Sequence, residues 1–85
     1  MNDPLLMRKQ LRVVMSALPP GHQRVTEEFL VAQLNRFFPE TILVTELLVA
    51  LQWNQGKGFV DYHFNSDSER NEWFLTESGR QKEGL

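Results

Sequence analysis

Apolar residues near the start of the chain recur at helical spacing. Met7, Leu11, Val14 and Leu18 make one stripe, and Arg8, Lys9 and Arg12 fall mostly off it. The pattern predicts a first helix within 2–18. Asp3 is placed to cap its free amides, and Pro4 at the first helical position gives up no hydrogen bond that mattered. Pro19-Pro20-Gly21 stops it, and His22 to Val25 reads as at most a very short strand. Thr26 opens a second helix, expected over 26–38. Glu27 and Glu28 sit in its first turn, where the helix dipole favours acids, and Val25 is set to staple onto Leu30. Leu30, Leu34 and Phe37 carry its apolar face with Phe38 adjoining, and Pro39 ends it. A third helix is expected over 41–55, capped by Thr41 and released by the turn Gly56-Lys57-Gly58. Leu43, Leu47, Ala50 and Leu51 face inward on its wheel.

Beyond Gly58 the period changes from helical to alternating. Val60, Tyr62 and Phe64 share one side of a strand, and Phe59, Asp61 and His63 share the other. Asn65 to Arg70 is a polar turn, after which Trp73 and Leu75 mark the inner face of a returning strand. The hairpin is expected over 58–76, with Thr76-Glu77-Ser78-Gly79 closing the strand and 80–85 left as a frayed tail or single helical turn. Helix, short strand, helix, helix, hairpin is the order of a winged helix: an α+β fold with a three-helix core and a two-stranded wing.

Several motifs give that order a family likeness. Val25-Thr26 with Leu30 and Leu34 is similar to the opening of the second helix in the winged helix-turn-helix domains of bacterial MarR-like regulators. Thr41-Ile42-Leu43-Val44-Thr45-Glu46-Leu47-Leu48 resembles their recognition helix, and Gly58-Phe59-Val60 resembles the entry to their wing. Asp67 to Arg70 resembles the wing tip, and Leu75-Thr76-Glu77-Ser78-Gly79-Arg80 the segment that ends it. The likeness covers roughly 11–80. Two connections are longer than in that group: the one between the second and third helices, and the turn before the wing. The flanking helices by which the group dimerises are not matched.

The resemblance implies a DNA-binding regulator that inserts its third helix into the major groove and uses the wing on the backbone. On that reading Thr41, Thr45 and Gln52 reach base edges, since threonine meets the thymine methyl and glutamine pairs with adenine. Arg70 at the wing tip, Lys57 and Arg36 supply phosphate contacts.

Charge pulls the other way. The whole chain carries a formal −2, and Thr41 to Leu75 holds two bases, Lys57 and Arg70, against five acids. Surfaces that meet phosphate are usually positive, because counterion release supplies most non-specific affinity. A second reading is therefore a protein-contact module. Ile42, Val49 and Trp53 form an apolar stripe on the outward side of the third helix, suited to a protein partner or a second copy unless the rest of the chain covers it.

The remaining chemistry is sparse. With no cysteine, disulfides, thiolate zinc sites and a cysteine nucleophile are excluded. Asp61 and His63 share a strand face, but no nucleophile accompanies them. His22 and His63 lack a third metal ligand at any recognisable spacing. Gly56-Lys57-Gly58 shares only composition with a phosphate loop, and no serine sits in a nucleophile elbow. The expectation is a non-enzymatic protein without cofactor or metal. The longest apolar run, Leu47 to Leu51, is too short to cross a membrane, and no signal-peptide pattern opens the chain. These features lead us to expect a cytoplasmic protein.

Overall fold

A computed structural model describes residues 2–19, 21 and 23–83. Helix α1, Pro4–Ser16, begins as the sequence predicts: the Asp3 carboxylate accepts the Leu5 N–H at 2.9 Å, and proline fills the first turn. It ends two residues before Leu18, which is only half-buried. Met7, Leu11, Val14 and Met15 are buried from it. Arg12, expected off the stripe, is buried as well. It is tolerated there because its guanidinium donates to Glu83, Asn54 and the Arg8 carbonyl.

Helix α2, Glu27–Leu34, is capped by Thr26, whose Oγ1 accepts the Phe29 N–H at 3.3 Å. It is shorter than the expected 26–38. Asn35 caps its end, and the Asn35 side-chain oxygen accepts the Ile42 N–H at 2.7 Å, pulling the connection across the helix terminus. Pro39 also biases Phe38 away from helical backbone. Phe38 turns into the core while Phe37, expected there, is exposed.

The same bond moves the start of the third helix. Helix α3, Val44–Gly56, begins three residues after the expected Thr41 cap. Glu46 reaches back to accept the Leu43 N–H at 3.1 Å, satisfying a free donor at the new start. Leu43 is consequently exposed, a correction to its inward assignment, whereas Leu47, Ala50 and Leu51 are buried as expected. The exit is a Schellman turn. The Gly58 N–H donates to Gln55 O at 3.0 Å and the Phe59 N–H to Asn54 O at 2.9 Å, with Gly58 at φ 79°.

Strands β1, Val60–Asn65, and β2, Arg70–Leu75, pair antiparallel from Val60↔Leu75 to Asn65↔Arg70. The Asn65 side chain accepts two N–H groups in the connecting turn, from Asp67 and Ser68. Val60, Trp73 and Leu75 enter the core, but Tyr62 and Phe64 on the same strand face run beyond it and are exposed. Val25 exchanges two backbone hydrogen bonds with Trp73, 2.9 and 2.7 Å, so the short strand expected before α2 is a single bridge on the outer edge of β2. His22 lies outside the described residues.

Of the segment expected to close the strand and run out as a frayed tail or a single helical turn, 77–82 is helical. Thr76 caps helix α4, Glu77–Lys82, by accepting the Gly79 N–H at 3.1 Å. Gly84 and Leu85 lie outside the described residues. The described residues form an α+β arrangement of four helices with a hairpin following α3, compatible with a winged helix. Its radius of gyration, 12.0 Å, matches a single compact body of this length. Among the described residues no helix is long and apolar enough to cross a membrane.

Candidate functional site

The outward side of α3 is where the two functional readings compete. Thr45, Val49 and Gln52 project from one strip of the helix, and all three are exposed, Val49 at 56%. Val44 is exposed beside them, and Thr41 is exposed in the connection just before the helix. From Thr41 to Gly56 this surface carries no cation.

The expected stripe of Ile42, Val49 and Trp53 does not exist as one surface. Ile42 is 3% exposed and belongs to the core, because it precedes the helix and Asn35 turns its backbone inward. Trp53 is half-buried. The Arg8 guanidinium lies 4.6 Å from its ring centre, the Lys57 ammonium 5.6 Å away, and the Phe59 ring 6.3 Å away. Val49 alone stays open.

The expected phosphate contacts are dispersed. Arg36 is exposed beyond the end of α2, and Lys57 caps α3 while leaning over Trp53. Arg70 is exposed at the start of β2, but its guanidinium meets the Glu28 carboxylate of α2 at 2.6 Å. Glu28 is held below the usual carboxylate range, first by a backbone hydrogen bond at the helix start and then by Arg70. Glu27, Glu28 and Glu69 surround this corner, which also includes Phe64 and Asn71. Asp61 and His63 stand exposed on β1. Among the described residues no group of three or more potential ligands is arranged to hold a metal ion.

Between α1 and α3 lies an apolar groove of about 110 Å³, floored by Pro4, Met7, Val49 and Ala50. Asn2 and Glu46 close one end and Arg8 borders it. Asn2 is 5% exposed, its N–H donates to Glu46 at 3.4 Å, and its side-chain N–H donates to Glu40 O at 3.2 Å. Two buried polar atoms in these walls lack partners among the described residues, the acceptor Asn2 Oδ1 and the donor Arg8 Nε. An unsatisfied buried group costs roughly 1–3 kcal/mol.

Beneath the groove lies a buried polar network. The Arg12 guanidinium donates to Asn54 Oδ1 at 2.9 Å, to Arg8 O at 3.3 Å and to Glu83 Oε1 at 2.7 Å. Asn54 in turn donates to Ala50 O and Arg8 O. Neither this network nor the groove was anticipated. Asn54 carried one legible signal: it falls on the buried face of α3, four residues after Ala50 and seven after Leu47. Asn2 and Arg8 carried none, since their place depends on how α1 lies along α3.

The chain matches no protein-family model, and no curated protein or solved structure shows significant similarity to it.

Proposed function

We propose that this chain is a non-enzymatic winged-helix module whose third helix contacts another protein. The order of three helices and a hairpin supports the frame, as does the resemblance of 11–80 to MarR-like domains. One observation carries the contact surface: the outward side of α3 presents Val44 and Val49 among neutral polar residues and has no cation. A helix face that supplies no cation of its own offers little of the counterion release that drives DNA association, and the neighbouring cations Arg8 and Lys57 are turned onto Trp53. The wing arginine, which is the natural phosphate contact, is engaged by Glu28.

DNA binding is the second reading, favoured by the exposure of Thr41, Thr45 and Gln52 along the same helix. A titration with mixed-sequence duplex at ~50 mM salt, where attraction is strongest, separates the two. The protein-contact reading expects no complex. A salt-sensitive complex weakened by both Arg70→Ala and Gln52→Ala would transfer the function to DNA. Sedimentation of wild type against Val49→Glu then shows whether the partner is a second copy. In that case the wild type is a dimer and the variant a monomer.

A further inference from the structure

We propose that the groove between α1 and α3 takes a short acidic-apolar peptide segment of a partner protein. One aliphatic side chain enters between Met7 and Val49, and a neighbouring carboxylate meets Arg8 and Lys57. The proposal rests on the protein-contact reading above and names the partner's chemistry. Three observations carry it.

Size comes first. At about 110 Å³ the groove is smaller than the roughly 150 Å³ apolar cavity that accepts a benzene ring. It fits one aliphatic side chain, and its floor is almost wholly hydrocarbon.

Charge is the second. Arg8 and Lys57 lie against the same Trp53 ring, and among the described residues neither pairs with a carboxylate. The opposite end is closed by Glu46, whose two oxygens already accept N–H groups from Leu43 and Asn2. Arg8 borders the groove itself, and Lys57 lies against Trp53 outside the lining, so the groove has acceptors at the Asn2 end and its one lining cation, Arg8, toward Trp53. A bound segment places its carboxylate at the cations and its main-chain N–H toward Asn2.

The third observation is the pair of unpartnered atoms. Among the described residues Asn2 Oδ1 lacks a donor and Arg8 Nε lacks an acceptor, in the walls of one groove. Both atoms are closed to solvent, so a peptide that offers both kinds of group from its own backbone reaches them only as the Asn2 and Arg8 side chains turn toward it. Other occupants fit less well. Two copies facing each other through this groove would oppose concave surfaces and leave both pockets empty. A nucleic acid strand would bring phosphates against Glu46, and the Trp53 ring is already contacted by Arg8 and Lys57.

The test is nuclear magnetic resonance titration of the full isotope-labelled chain with N-acetyl-Leu-Asp-amide and N-acetyl-Leu-Lys-amide. The acidic peptide should shift the Met7, Val49 and Ala50 amides and the Trp53 indole, binding about fivefold more tightly than the basic one. Arg8→Gln should erase most of that preference. Lys57→Gln, at an exposed position, should reduce it and serves if Arg8→Gln fails to fold. Equal binding of the two peptides, or no shifts at these residues, overturns the proposal. Tighter binding of hexathymidylate at the same residues overturns it in favour of a nucleic acid. Broadening of these signals with protein concentration alone overturns it in favour of a second copy. Loss of peptide preference without duplex binding removes the groove only, whereas duplex binding through α3 removes the protein-contact reading itself.

Discussion

Asn54 is a polar side chain with no exposed surface, set among leucines on α3. Its cost is met because every polar atom has a partner: Oδ1 accepts from Arg12, and Nδ2 donates to Ala50 O and Arg8 O. Asn54→Ala removes one acceptor from a buried guanidinium and leaves the Arg8 carbonyl with less donation. Urea unfolding should show a loss of about 1–3 kcal/mol, since a buried hydrogen bond to a charged group is removed while Glu83 and Arg8 O still hold Arg12. Gln52→Ala, two positions earlier but exposed, should stay within about 0.5 kcal/mol. Equal midpoints for the two variants would mean that Arg12 and Asn54 do not meet. The same residue explains why Arg12 is buried although its position suggested otherwise. A helical wheel sorts side chains by angle and carries no information about a partner on another helix that can saturate a charge.

At the scale of elements, α3 organises the molecule because its inner face touches α1, α2 and β1. Leu47 is fully buried there, and Leu47→Ala should cost ~2–5 kcal/mol. Small domains have only ~5–15 kcal/mol in total. Leu43→Ala, at an exposed position just before the helix, should leave the thermal midpoint nearly unchanged. If the two variants reversed this order, the helix would start at Thr41 after all. Helix α4 supplies a sharper test, because there the local rule predicts the wrong sign. Gly→Ala inside a helix ordinarily gains up to about 1 kcal/mol. At Gly79 a Cβ would overlap the carbonyl oxygen of Phe59 and crowd Leu75 Cδ2, so Gly79→Ala should cost ~1–3 kcal/mol instead. A stabilised variant would show that α4 does not pack on the start of the hairpin. These elements also mark what was legible. Asp3, Thr26 and Gly58 act locally, within a turn of their own position, and each does what its residue type predicts. The alternation from Val60 onward found the hairpin for the same reason. Thr76 reads as a strand end from the sequence because a threonine followed by a nearby glycine suits a strand end and a helix cap equally, and in the fold it caps α4. The start of α3 was misplaced because Asn35 fixes it from seven residues away. The groove was invisible because it belongs to neither helix alone.

Taken as a whole, the molecule joins its hairpin to its helices at one corner. The backbone of Val25 bridges Trp73, the Trp73 indole N–H donates to Glu27 at 3.0 Å, and Arg70 meets Glu28. The first two ties leave the hairpin anchored whatever happens to the third. The ion pair is exposed, so its contribution to stability is small and screened by salt. Its direction with pH is nonetheless fixed. Glu28 is lowered from 4.5 in the folded chain, so its contribution is fully present above that value and fades as pH falls through the lowered one. Thermal midpoints of wild type and Glu28→Gln should therefore differ slightly at neutral pH and converge as pH falls below the lowered value. A gap that persists at the acid end, or one that opens only there, would show that Glu28 does not owe its lowered pKa to this corner. The variant also probes function, because it releases Arg70 at neutral pH without disturbing α3. If the wing were a phosphate clamp restrained by Glu28, Glu28→Gln would bind mixed-sequence duplex at ~50 mM salt where wild type does not. The protein-contact reading expects no binding from either, because one freed arginine leaves Glu27, Glu69 and the cation-free face of α3 as they were.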